Sequence, residues 1–82
     1  MQFMVEAQLK PGTTRQAVEA FEQRGPNRSP GVSFRGAWVD GRREVVYVLI
    51  ESADENLVRE ASRTWAAMED CKISSVVPID QY

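Results

Sequence analysis

Glu6 and Arg35 are the residues of this 82-residue chain whose types and positions could act on a ligand together. Phe3, Val5, Ala7 and Leu9 alternate with Met4, Glu6 and Gln8, so a strand through them turns Met4, Glu6 and Gln8 to one face. The same alternation puts Ser33 and Arg35 on one face of a later strand. A carboxylate and a guanidinium sharing a sheet face can orient a polar ligand, with Tyr47 adding an aromatic wall and a hydroxyl and Met4 an apolar neighbour. With one strand between them, Glu6 and Arg35 stand about 10 Å apart, too far for a direct ion pair but within reach of a bridging ligand. The plainer reading of such charges is a structural ion pair or a solvated sheet rim.

Other reactive types are scarce. There is no histidine, which removes the commonest general base and the commonest zinc ligand, so classical triads and histidine metal sites are excluded. No residue pattern calls for a metal or a cofactor. The single cysteine, Cys71, has only Lys72 beside it to activate a thiolate, and its expected role is buried filler. One cysteine makes no intrachain disulfide, in keeping with a reducing compartment. Trp38 and Trp65 could stack on a flat ligand. Trp38 falls in strand alternation with Val32, Phe34 and Gly36, and Trp65 in helical spacing with Leu57, Val58, Ala61 and Met68, so both are expected in the core.

The element that must hold these residues in place is Glu44 to Glu51. Its six consecutive apolar residues, Val45 to Ile50, are dominated by β-branched and aromatic types and bracketed by carboxylates. That is a strand with two apolar faces, and both need cover. Alternation leaves open which face Tyr47 and Val48 occupy. Around this strand the first one ends at Lys10-Pro11-Gly12. Thr13 and Gln16 form a capping-box pattern before a short helix carrying Ala17, Val18 and Phe21, which Gly25-Pro26 stops. Pro26 to Gly31 is a loop. The second strand, Val32 to Val39, ends at Asp40-Gly41, a pair suited to a tight hairpin with positive φ angles. Ser52 and Glu55 form a second capping box before the longer helix, and Cys71 to Ile79 is an edge strand ending near Pro78.

The order β-α-β-β-α-β within one domain, residues 1–82, is the split βαβ or ferredoxin-like arrangement. It is an α+β fold: a four-stranded antiparallel sheet, first and third strands central, with both helices on one face. The other face is bare. At this length a domain buries only about 60% of its unfolded surface, so a homodimer that covers that face is expected.

Composition gives no sign of a nucleic-acid or membrane partner. The charge of −2, with basic residues scattered, gives no footprint for nucleic acid or an anionic membrane. The chain opens in strand-like sequence, with neither a signal-peptide pattern nor an apolar run near the ~18 residues of a membrane span, and a cytoplasmic location is expected.

Several residues resemble those of a family of short, mostly bacterial domains of uncharacterised function that belongs with the dimeric α/β-barrel proteins. They are Phe3-Met4-Val5, Lys10-Pro11-Gly12, Phe21 with Arg24-Gly25, Pro30-Gly31-Val32, Trp38-Val39, Glu51, Trp65 and Val76-Val77-Pro78, in order along almost the whole chain. The chain departs from the family at Pro26 to Ser29 and at Ala66-Ala67. The resemblance implies a homodimer with its two sheets face to face, and supplies no activity. Gly31-Val32-Ser33-Phe34-Arg35 also resembles the phosphate-cradling signature of acylphosphatases. There it lies between the first strand and first helix; here it follows the first helix, so the amide cradle is not formed. RNA-recognition domains share the topology, but the open face lacks their basic charge and stacking aromatics.

The function expected from these residues is small-molecule binding in or beside a dimer barrel, with Met4, Glu6, Arg35 and Tyr47 as the ligand-binding set. One alternative is a cofactor-independent oxygenase, cyclase or isomerase using Glu6 as base, with Arg35 or Tyr47 stabilising an anion. That is a fold-level analogy. The other is a regulatory partner-binding domain whose barrel has no cavity.

Overall fold

The computed structural model describes residues 1–24, 30–63, 65 and 68–82. Its elements run β1 (Gln2–Leu9), α1 (Thr14–Arg24), β2 (Val32–Asp40), β3 (Val45–Ser52), α2 (Glu55–Ser62) and β4 (Met68–Val76), followed by a 3-10 turn at Ile79–Gln81. The strands form one sheet in the order β2-β3-β1-β4, every neighbouring pair antiparallel, which is the expected ferredoxin-like topology.

Alternation on β1 and β3 sorts the sheet into two faces. Phe3, Val5, Ala7 and Leu9 are buried on one side, and Phe3, Val5 and Ala7 stand opposite Ile50, Val48 and Val46 of β3. Val58 of α2 closes over Phe3, Val5, Val48 and Ile50 to complete the core cluster. Phe34 of β2 packs against this cluster and meets Phe21 of α1 edge to face, with ring centroids 6.3 Å apart, so both helices lie on the same side. Cys71 and Ile73 of β4, opposite Ala7 and Val5, pack against the cluster as well, with Cys71 half-buried where buried filler is expected.

Local expectations are corrected in three places: the helix caps, the run from α2 into β4, and the β2–β3 hairpin. Ser52 does not cap α2: it is the last residue of β3, and its hydroxyl donates to the Gly31 carbonyl at 2.8 Å. Asp54 is the cap, accepting from Asn56 N–H at 2.9 Å. Similarly, the Thr13 hydroxyl donates back to the Lys10 carbonyl at 2.7 Å. α2 is also shorter than its apolar spacing suggests. The buried Ser62 hydroxyl bonds back to the Val58 carbonyl, and the Arg63, Trp65 and Met68 amides reach carbonyls three residues back, so the helix tightens into turns and stops. Trp65 then lies after the helix, where it still packs on the core, and Met68 opens β4 opposite Leu9. β4 consequently starts three residues before Cys71 and ends at Val76, leaving Ile79 in the exposed final turn.

The third correction concerns the hairpin between β2 and β3. Asp40 pairs with Val45, which makes the loop four residues long instead of a two-residue turn. The Asp40 carboxylate accepts from the Arg42 and Arg43 amides, both at 3.1 Å, and this local bonding shapes the turn. Glu44, not Gly41, takes the positive φ, at 56°. Its backbone carbonyl accepts from Leu9 N–H, and its carboxylate accepts from Gly12 N–H at 2.9 Å and the Thr14 hydroxyl at 3.1 Å, tying the hairpin to the start of α1.

The expected loop at Pro26 to Gly31 lies outside the described residues except for Pro30 and Gly31, as do Ala66 and Ala67. Gly31 has φ 80°, and a Cβ there would fall 2.7 Å from Leu57 Cδ1. Because the leucine tip can move, the backbone carries most of the penalty. Gly31→Ala should lower stability by about 1–2 kcal/mol, read as an earlier urea midpoint with unchanged slope.

Candidate functional site

The second face of the sheet is built from the residues that alternate away from the helices. Across β2, β3, β1 and β4 it runs in rows. One row is Trp38, Tyr47, Glu6 and Lys72; the next is Gly36, Leu49, Met4 and Ser74; a third is Ser33, Glu51, Gln2 and Val76. Met4, Glu6, Tyr47 and Leu49 are half-buried, and no helix covers them. The facing left open by the sequence is thereby settled: Val48 points to the helices with no exposed surface, and Tyr47 points to the open side.

Trp38 is on this open face, against the expectation that it packs in the core. Phe34 stands opposite Ile50 and Gly36 opposite Leu49, so Arg35 is one residue too many for its partner strand. This β-bulge reverses the alternation beyond it, and Trp38 emerges 57% exposed beside Tyr47. Gly36 makes room for it. A Cβ on Gly36 would fall 2.8 Å from the tip of the Trp38 ring, which occupies the space a side chain there would fill.

The four residues expected to bind a ligand are therefore on one face, but not all at one place. Glu6 and Tyr47 are direct cross-strand neighbours, with Met4 one row away. Arg35 is engaged elsewhere: its Nη2 and Nε donate to Glu51 Oε2 at 2.6 and 2.9 Å. Both side chains are about half exposed, so the pair contributes at most about 1 kcal/mol. From the register, the Cα atoms of Glu6 and Arg35 are roughly 12 Å apart, two strands across and more than two residues along.

Glu6 and Tyr47 instead border a shallow concavity of about 370 Å³, completed by Gln8, Val45, Arg43, Asp70, Cys71 and Lys72. Gln8 forms one end, its amide donating to the carbonyls of Arg43 at 3.2 Å and Glu44 at 3.1 Å. Carboxylates and cations both line the rest, an arrangement suited to a polar, uncharged or doubly functional group and not to a strongly charged one. Among the described residues, the side chains of Glu6, Tyr47 and Lys72 have no hydrogen-bond or ion-pair partner. They hold free donor and acceptor capacity: the carboxylate accepts only, the ammonium donates only, and the phenol does either. Among the described residues no group of three or more histidine, cysteine, aspartate or glutamate side chains could hold a metal ion, and no helix is long and apolar enough to cross a membrane.

Sequence alternation alone missed Trp38, Lys72, Asp70 and Leu49. For Trp38 there was one cue, an isolated glycine inside a strand pattern, which often marks a bulge.

Comparison with known proteins supplies a family and a fold. A family model described as a domain of unknown function, DUF3303, matches residues 1–82. A search of curated proteins returns no match. Among solved structures, an uncharacterised NIPSNAP domain protein from Burkholderia xenovorans superposes with TM-score 0.63 at 15% identity, covering 94% of this chain and 92% of that one. SCO4226 from Streptomyces coelicolor A3(2) gives 0.60 at 21% identity, over 95% and 98%. An antibiotic biosynthesis monooxygenase gives 0.54 at 14%, over 94% and 98%. At these identities the likeness is one of fold.

Proposed function

We propose that this chain, which belongs to the DUF3303 family of domains of unknown function, is one half of a homodimer that binds a small molecule between two facing sheets. The observation that carries the reading is the open face: Met4, Tyr47, Leu49 and Trp38 form an apolar centre on the side of the sheet that no helix covers. Four strands of eight or nine residues span about 19 by about 28 Å, or about 500 Å² in projection, and side-chain relief brings this near the ~800 Å² per partner of a stable interface. A two-fold axis sets residue i against residue j and j against i, so a face carrying both signs of charge can match them with its copy. The row of Leu49 and Met4 then supplies contact, and the concavity bordered by Glu6, Tyr47 and Lys72 supplies space.

A second reading, a cofactor-independent enzyme, draws on one observation: the Glu6 carboxylate has no partner among the described residues and is free to act as a base. The likeness to a monooxygenase supports it only at the level of fold. Sedimentation velocity at micromolar concentration, with native mass spectrometry of the same sample purified from its host, tests the proposal. The expected species has twice the 9.3 kDa chain mass and carries a small organic adduct. A folded monomer would end the proposal, and a dimer that never retains or binds a small molecule would favour the partner-binding alternative. Turnover that Glu6→Gln abolishes while adduct binding persists would establish the enzyme.

A further inference from the structure

The bulge at Arg35 delivers an indole to a place where the core has no use for it. Trp38 is 57% exposed, yet its ring is positioned: it lies against the Gly36 backbone, with Cη2 2.8 Å and Cζ2 and Cζ3 3.4 Å from where a Cβ would stand. The tip of the ring is therefore held close to the sheet at Gly36, while more than half of the side chain stays open. Its cross-strand neighbour is Tyr47, and the row continues to Glu6 and Lys72. Two aromatic side chains in one row with an acceptor-only carboxylate that has no partner offer stacking surface with a polar end, Tyr47 standing between Trp38 and Glu6.

We infer that the Trp38 and Tyr47 rings are the floor of the ligand site, and that the ligand is a planar aromatic molecule whose hydroxyl donates to Glu6. This inference rests on the small-molecule reading above and names the class of molecule. Trp38 and Glu6 are two strand spacings apart, about 10 Å, a span filled by a fused two- or three-ring system with its hydroxyl. A cationic ligand on the indole face is the competing chemistry, through cation–π attraction. The Glu6 carboxylate, two strands away, would favour such a cation and Lys72, one strand further, would oppose it, so choline is the probe that decides between the two chemistries.

The test titrates the full-length chain with 2-naphthol, with its saturated counterpart decahydro-2-naphthol, and with choline. Binding is followed by calorimetry in the wild type and by the emission of Trp38 in Trp65→Phe protein. The expected result is 2-naphthol binding at least tenfold tighter than either other probe, with quenching of Trp38. Trp38→Ala should weaken 2-naphthol roughly tenfold, as loss of one stacked ring does, while Trp38→Phe retains most of the binding. Sedimentation of each variant is run alongside. Equal affinity for the planar and saturated probes, preference for choline, no binding of 2-naphthol, or a Trp38→Ala protein that binds normally would overturn the inference. So would loss of assembly together with binding in Trp38→Ala, which would make Trp38 an interface residue. A wild type that binds 2-naphthol through Trp38 but sediments as a monomer would instead refute the homodimer and leave the stacking floor standing.

Discussion

Val48→Asp should leave no folded protein. Val48 has no exposed surface, and it packs among Phe3, Val5, Ile50 and Val58, the centre of the core cluster. None of these can pair a carboxylate, so the aspartate must be buried as an unpaired charge or be protonated at the cost of its hydration; either loses several kcal/mol. A domain of this size has about 5–10 kcal/mol to lose, and the cavity left by the valine methyls adds to the deficit. Circular dichroism should show no cooperative thermal transition, and the amide proton spectrum should collapse to random-coil dispersion. A variant melting cooperatively near the wild-type midpoint would place Val48 outside the core.

Leu49→Asp, one residue along, should have a different outcome. Leu49 faces the open side, half-buried between Gly36 and Met4. In a single chain its carboxylate would reach water, and the fold survives. Between two sheets it would meet its own copy or apolar neighbours without water, and the expected penalty of about 4 kcal/mol weakens association roughly a thousandfold. Sedimentation at micromolar concentration should then show a folded species of one chain mass, 9.3 kDa. A Leu49→Asp protein that dimerises as tightly as the wild type would exclude the sheet face as the interface. The two variants differ by one position in a strand and test opposite sides of it.

That pairing of neighbours also marks what could be read from the sequence. Strand order and helix placement were legible because Phe3, Val5, Ala7 and Leu9 alternate cleanly and the turn residues fall between periodic segments. The facing of Val48 and Leu49 was not, since Val45 to Ile50 is apolar throughout and carries no phase; phase enters from β1 through the pairing of Val5 with Val48. Alternation places Trp38 on the wrong face because it counts residues, and Arg35 is an extra residue that only the partner strand reveals. The end of α2 was misread because Trp65 and Met68 keep the helical spacing after the helix has ended, one on the core and one on a strand. For the site, the open-face placement of Met4, Glu6 and Arg35 followed from the pattern. The separation of Arg35 from Glu6 by its ion pair with Glu51 is a tertiary matter.

The attachment of α1 has a consequence for how the molecule opens. None of its described side chains from Thr14 to Gln23 is fully buried; Phe21 meets Phe34 at a ring edge, and the helix start hangs on the Glu44 carboxylate. The pairing of β1 with β3, by contrast, encloses residues with almost no exposure. Stability is thus graded across the fold, with α1 detaching at lower free energy than α2, which buries Val58, Ala61 and Ser62, and the two central strands as the unit that yields only on global unfolding. Detaching α1 would uncover Phe34 on the helix side while the open face stayed intact. Partial opening and assembly through the sheet would then be thermodynamically separate events, and a dimer could admit proteases or chaperones at α1 without coming apart.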